Sequence, residues 1–156
     1  MAALVLAATM GGLVAPAGAH AAPTVSDSSV VAANEAADPT LLDTYWVMEW
    51  VVDGDQIIPL PKDPQPYLIL RSTEALSAFN GCNWLNGTVQ VRDNTLFFGD
   101  LGSTKKLCVD YSTQLEIAVF AALDSGQASY RIESGRLRIS RPDGFGLLLR
   151  YEPSAR

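Results

Sequence analysis

Tyr130-Arg131-Ile132-Glu133-Ser134-Gly135-Arg136-Leu137-Arg138-Ile139 is the stretch that decides the fold. Apolar and charged residues alternate on both sides of Ser134-Gly135, the pattern of two half-buried strands joined by a two-residue turn. A two-residue turn also sets the register, because side chains alternate between faces with a period of two. Glu133 then faces Arg136, Ile132 faces Leu137, Arg131 faces Arg138 and Tyr130 faces Ile139. Tyr130, Ile132, Leu137 and Ile139 take the buried side, and the charged residues take the wet side. Arg131 opposite Arg138 is a costly like-charge pair. Either Glu133 and solvent relieve it, or an anionic ligand does.

Working outward, Pro142-Asp143-Gly144 turns the chain into a final strand, Gly146 to Tyr151. Upstream, Thr113 to about Ser125 is predicted to be the one helix. It opens on a capping box, Thr113-Gln114-Leu115-Glu116, and repeats Leu115, Ala118, Val119, Ala122 and Leu123 at helical spacing. Gly126 stands where a C-terminal cap belongs. Thr88 to Arg92 and Thr95 to Phe98 form another hairpin around Asp93-Asn94, residue types that tolerate positive φ. From Tyr45 the pattern is again β, with Trp46, Met48 and Trp50 on one face and an end at Asp53-Gly54. A loop punctuated by Pro59, Pro61, Pro64 and Pro66 leads to short strands at Tyr67–Leu70 and Ala75–Phe79, with Ser72 and Thr73 turning between them. Many short strands and one helix predict a mainly β fold, a small antiparallel barrel or strongly curved sheet. The helix would cover one sheet face or plug one barrel end.

The 156 residues leave room for one domain. Residues 2–15 form an apolar run of signal-peptide length, too short to anchor in a bilayer, and Ala19-His20-Ala21 supplies an A-x-A cleavage pattern. Residues 1–21 thus read as an export signal, although no Lys or Arg precedes the run; the other reading is an Ala-rich tail. Residues 22–40, rich in Ala, Ser, Asp and Asn, read as a flexible linker, residues 41–152 as the folded domain, and 153–156 as a tail. Thr40-Leu41-Leu42-Asp43 fits a capped turn at the start of the domain. No transmembrane segment is expected in the mature chain, and a monomer is expected.

Net charge is −6, which argues against nucleic acid as a partner. The charge is uneven: residues 41–126 carry five basic and eleven acidic side chains, whereas residues 127–156 carry six arginines and three acids. The C-terminal hairpins are therefore the basic face.

Chemistry is sparse. The single histidine, His20, lies in the export signal. This removes Ser-His-Asp, Cys-His and His-metal chemistry from the mature domain. No cofactor motif is present. Cys82 and Cys108 are the two cysteines, and in an exported chain they read as a disulfide, with a free-thiol or metal role as the alternative. Ser103-Thr104-Lys105-Lys106 matches S-x-x-K, in which a lysine amine activates a serine, but the partner motifs of those enzymes are missing. Asp53-Gly54-Asp55 lacks the third acid of a calcium loop. Asn86-Gly87-Thr88 is formally a glycosylation acceptor and reads as a turn. Trp84, next to the cysteine turn, is either packed over the barrel end or offered to a partner.

Several of these residues resemble the META domain, the family that includes HslJ. The resemblance covers about 41–152. It rests on Trp46 and Met48, on Gly81-Cys82-Asn83 with Gly87 following, on Leu96 and Phe98, and on Thr104 four residues before Cys108. It continues through Glu116, Phe120 and Leu123, then Tyr130, Ile132, Gly135, Leu137 and Ile139. It implies a small β-barrel-like fold with one helix in envelope or secreted proteins, tied to stress tolerance, motility or secretion. Lys106 departs from it, standing where the family has an apolar residue, and the lipid-anchor cysteine of many relatives is absent.

The combined expectation is a secreted or periplasmic, non-catalytic binding or stress-related module of the cell envelope. Its partner would be an envelope protein or a small apolar ligand. Asn83, Trp84, Lys105, Lys106, Arg131 and Arg138 are the candidate contact residues. The alternatives are an inhibitor of a secreted hydrolase, a barrel holding a lipid tail, and a Ser-Lys hydrolase centred on Ser103 and Lys106.

Overall fold

The computed structural model describes residues 38–108 and 113–153. The expected export signal, most of the linker, and residues 154–156 lie outside them. In chain order the elements are β1 (Trp46–Asp53), β2 (Gln56–Ile58), β3 (Tyr67–Leu70), β4 (Ala75–Phe79), β5 (Trp84–Arg92) and β6 (Thr95–Ser103). The helix α1 (Thr113–Leu123) follows, then β7 (Gly126–Glu133), β8 (Arg136–Ser140) and β9 (Phe145–Tyr151). Neighbouring strands pair in the order β2-β1-β3-β4-β5-β6-β7-β8-β9, and β1 also pairs with β9. All strands but β2 therefore close into an antiparallel eight-stranded barrel, and closure leaves those strands no free edge.

Tight turns explain most of the ladder. Glu133 pairs with Arg136, Ile132 with Leu137, Arg131 with Arg138 and Tyr130 with Ile139. Ser134 and Gly135 both have positive φ, 52° and 71°. That is the backbone of a turn whose twist matches the flanking strands. Arg92 likewise pairs with Thr95 across Asp93-Asn94.

The first strand departs from simple alternation. Met48 pairs with Leu149 but Trp50 with Leu148, so Glu49 is the extra residue of a β-bulge. The inserted residue flips everything after it. Trp46 and Met48 point into the core, yet Trp50 is 48% exposed and Val51 takes the buried position. The expected single face of Trp46, Met48 and Trp50 is thus broken at its third member.

Other boundaries also shift. β2 falls at the start of what reads as a proline loop, and β5 and β6 extend to Trp84 and Ser103, so Asn86-Gly87-Thr88 is strand, not turn. A second irregularity separates Asn86 from Thr88. A Cβ on Gly87 there would stand 3.1 Å from the Gly99 carbonyl oxygen, a tight contact that glycine avoids where the two backbones approach. The helix stops at Leu123, and Gly126 begins β7 instead of capping the helix. Arg141 supplies the cap by donating from Nη1 to the Asp124 carbonyl oxygen at 2.8 Å.

Asp38, assigned to the linker, accepts a 2.7 Å hydrogen bond from the Gly135 amide. Asp43 does not close a local cap: its carboxylate accepts from the Ser72 amide and faces Arg71, bridging to the β3–β4 turn.

The barrel interior is filled. Trp46, Met48, Leu68, Leu70, Leu76, Leu85, Leu96, Leu137, Ile139 and Leu147 are all essentially without exposure and belong to one apolar cluster. The Trp46 indole N–H donates to the Leu41 carbonyl oxygen at 3.0 Å, satisfying the polar atom that its burial would otherwise strand. All five expected helix residues, Leu115, Ala118, Val119, Ala122 and Leu123, are buried in the same cluster. The helix touches β1, β2 and β9 and also β6, which lie on opposite sides of the closed sheet. It therefore reaches across one mouth of the barrel. A lipid tail inside the barrel would have to displace this packing.

Candidate functional site

The cysteine turn is built by asparagines. Asn80 Oδ1 accepts from the amides of Cys82 (3.0 Å) and Asn83 (2.7 Å), closing an Asx turn at the end of β4. Asn83 is 1% exposed. Its Oδ1 accepts from Thr104 Oγ1 (2.9 Å) and from the Lys106 amide (2.8 Å), and its Nδ2 donates to Glu116 Oε1 (3.2 Å). Thr104 Oγ1 in turn accepts from the Trp84 amide at 3.1 Å. Cys82 and Cys108 are disulfide-bonded with Cα atoms 6.1 Å apart. One buried amide thus ties the cysteine turn, the end of β6 and the helix together. Asn83, expected at the contact surface, instead lies beneath it with its side chain engaged internally.

Glu116 answers to this hub, its carboxylate turned to Asn83 although the sequence marks it as a capping-box acid. The start of β5 and the end of β6 meet here as a ladder, with Leu85 opposite Ser103. Lys105 and Lys106 are exposed, and Leu107 is fully so.

Trp84 packs on neighbouring rings on one side and is open on the other. It is 44% exposed, yet its ring stands 4.8 Å from Phe79 and 6.1 Å from Tyr67. Tyr67 stacks on Tyr45 at 4.5 Å. The register accounts for the row: Val47 faces Tyr67, Tyr67 faces Phe79 and Phe79 faces Trp84, all on the outer face of β1, β3, β4 and β5. Cross-strand aromatic pairs of this kind hold one another in place. Burial raises the Tyr45 phenol above its ordinary value, with Tyr67 and Glu152 adding to the shift. Burial likewise raises Tyr67, against the opposing pull of Arg71. Tyr45, Tyr67 and Phe79 were not among the sequence candidates. Their strands are legible, but no two-residue turn fixes the β3–β4 register, so the row appears only once the strands are paired.

The remaining candidates disperse. Ser103 Oγ donates to the Thr104 carbonyl oxygen at 2.9 Å, directing its hydroxyl to backbone. Gly54-Asp55 is the turn of the β1–β2 hairpin, with Asp53 opposite Gln56. Asn86 accepts from Ser77 Oγ across β4 and β5. Arg131 pairs with Glu133 at 2.8 Å, whereas Arg138 has no acidic partner among the described residues. Arg131 and Arg138 lie on the β7–β8 hairpin, apart from the cysteine turn. Among the described residues no helix is long and apolar enough to cross a membrane.

Together these features define a class: a closed, packed β-barrel whose disulfide-pinned turn adjoins an outer-face aromatic row that is exposed at Trp84. The META domain model matches residues 39–152, and the chain belongs to that family. Among solved structures, it is similar to the NMR structure of a protein from Burkholderia xenovorans, with 28% identity and a TM-score of 0.61 over 85% of this chain and 99% of that one. A second NMR structure, 17% identical with a TM-score of 0.55, covers 70% of this chain and 90% of its own and shares the fold. No curated protein matches the chain.

Proposed function

We propose that this META domain is a non-catalytic binding module of an oxidising, extracytoplasmic compartment, and that it docks an envelope protein on the row Tyr45, Tyr67, Phe79 and Trp84 beside Lys105 and Lys106. The observation that carries it is Trp84, half-exposed and braced by Phe79 at 4.8 Å at the start of β5, next to the turn held by the Cys82–Cys108 disulfide. A large aromatic already locked in place loses little entropy when a partner covers it, and such residues dominate binding energy. The disulfide fits a compartment in which thiols oxidise. What supports the non-catalytic reading is that, with His20 the chain's single histidine, a general base would have to be a strongly perturbed carboxylate or lysine.

The test is comparative capture from the host envelope. Trp84→Ala is expected to weaken association with a specific partner by roughly thirtyfold, the scale of a hot-spot residue. Lys105→Glu with Lys106→Glu should weaken the same partner, with melting temperatures unchanged. Recovery of identical partners by wild type and variants would remove the site, and a hydrolytic activity abolished by Ser103→Ala would remove the non-catalytic reading.

A further inference from the structure

A groove of about 400 Å³ runs over the outer face of β8, β9, β1 and β2, at the other end of β1 from Tyr67. Its floor follows from the register. Trp50 faces Leu148, which faces Arg138; one step along, Val52 faces Gly146, which faces Ser140, and Ile57 lies opposite Val52. Gly146 contributes no side chain, so the sheet sinks between these neighbours. Trp50 at 48% and Ile57 at 56% exposure stand as apolar walls, and Phe145 lines the end.

Two features mark this groove. The bulge at Glu49 turns Trp50 away from the core and into water beside this groove, and bulges commonly re-aim a side chain at a functional position. The cations are also unequal. Arg131 is held by Glu133, Arg136 by Glu49, and Arg141 by Asp143 and the Asp124 carbonyl. Arg138, at the groove edge, has no acidic partner among the described residues.

We propose that this groove binds a long-chain carboxylate, its acyl chain lying against Trp50, Leu148, Val52 and Ile57 and its head group on the Arg138 guanidinium. An apolar concavity with one well-placed polar group is the usual form of a small-molecule site. A guanidinium matches a carboxylate with two parallel hydrogen bonds. A folded partner or a flat bilayer would cover the basic hairpins as a whole, whereas one arginine without an acidic partner among the described residues, beside an apolar trough, fits a single anionic head with an apolar tail. This site is independent of the aromatic row, and its failure leaves that docking face untouched.

Monomeric palmitate titrated into the full chain, followed by amide NMR shifts, tests it. Saturable shifts are expected at Ser140, Gly146 and Leu148. Arg138→Gln should weaken binding about tenfold, the scale of one charged hydrogen bond, and the methyl ester should bind wild type as weakly as the acid binds that variant. Trp50→Ala should weaken both. Arg138 and Trp50 are exposed, so both variants should keep the wild-type melting temperature. The ester comparison decides without any variant. An ester that binds as tightly as the acid, shifts confined to the surroundings of Trp84, or a response to anionic phospholipid vesicles without one to monomeric palmitate would each overturn the proposal.

Discussion

Asn83 shows how much one buried amide can organise. It accepts from a hydroxyl and a backbone amide and donates to a carboxylate, so its loss removes one partner each from Thr104, the Lys106 amide and Glu116. A hydrogen bond contributes about 0.5–1.5 kcal/mol net, and more to a charged group. Asn83→Ala should therefore destabilise by about 2–4 kcal/mol in urea unfolding. Asn83→Asp keeps the acceptor but sets a carboxylate against Glu116, and should recover little. A loss under about 0.5 kcal/mol for the alanine variant, typical of surface sites, would show that the hub carries no weight. The sequence marks this residue only as polar and next to a cysteine, which is equally the description of a surface contact. Burial distinguishes the two, and burial depends on where β6 and the helix come to rest.

At the scale of the element, β1 is the informative case. Its composition is uniformly β, and alternation before the bulge is correct: Trp46 and Met48 are buried. The inserted Glu49 then reverses the faces, leaving Trp46 with no exposure and Trp50 half exposed four residues later. The two tryptophans should respond in opposite ways. Trp46→Ala removes a packed ring and is expected to cost about 3–5 kcal/mol in denaturant titration. Trp50→Ala should stay within about 0.5 kcal/mol. Equal costs would mean that both rings face the core and that the strand runs without a bulge. Hairpin turns were far more legible than this, because Ser134-Gly135 and Asp93-Asn94 define local backbone geometry that needs no partner from elsewhere in the chain.

For the whole molecule, closure comes from contacts distant in sequence. β1 pairs along most of its length with β9, Asp38 holds the Gly135 turn, and the disulfide spans 26 residues. On the chain-entropy model, a crosslink of that span stabilises by about 3–4 kcal/mol by constraining the unfolded chain. Cys82→Ser with Cys108→Ser, or reduction of the native protein, should lower the melting temperature while preserving the far-ultraviolet β spectrum. Free thiols in exported protein, detected by mass, would remove that contribution and the compartment argument with it.

By itself the sequence determined the strand and helix periods, the registers across two-residue turns, the buried face of the helix, and the cysteine pair in a single β domain. Each of these is set by residues within a few positions of one another, or by simple counting. Only the tertiary structure decided that β1 closes on β9, that Trp50 points outward, that Asn83 lies inside, and that four aromatics from separate segments align on one face. The physical reason is that strand pairing is non-local: a one-residue bulge reverses every side chain beyond it without changing the local composition, and a surface row spanning β3, β4, β5 and the residue before β1 exists only once those strands are in register.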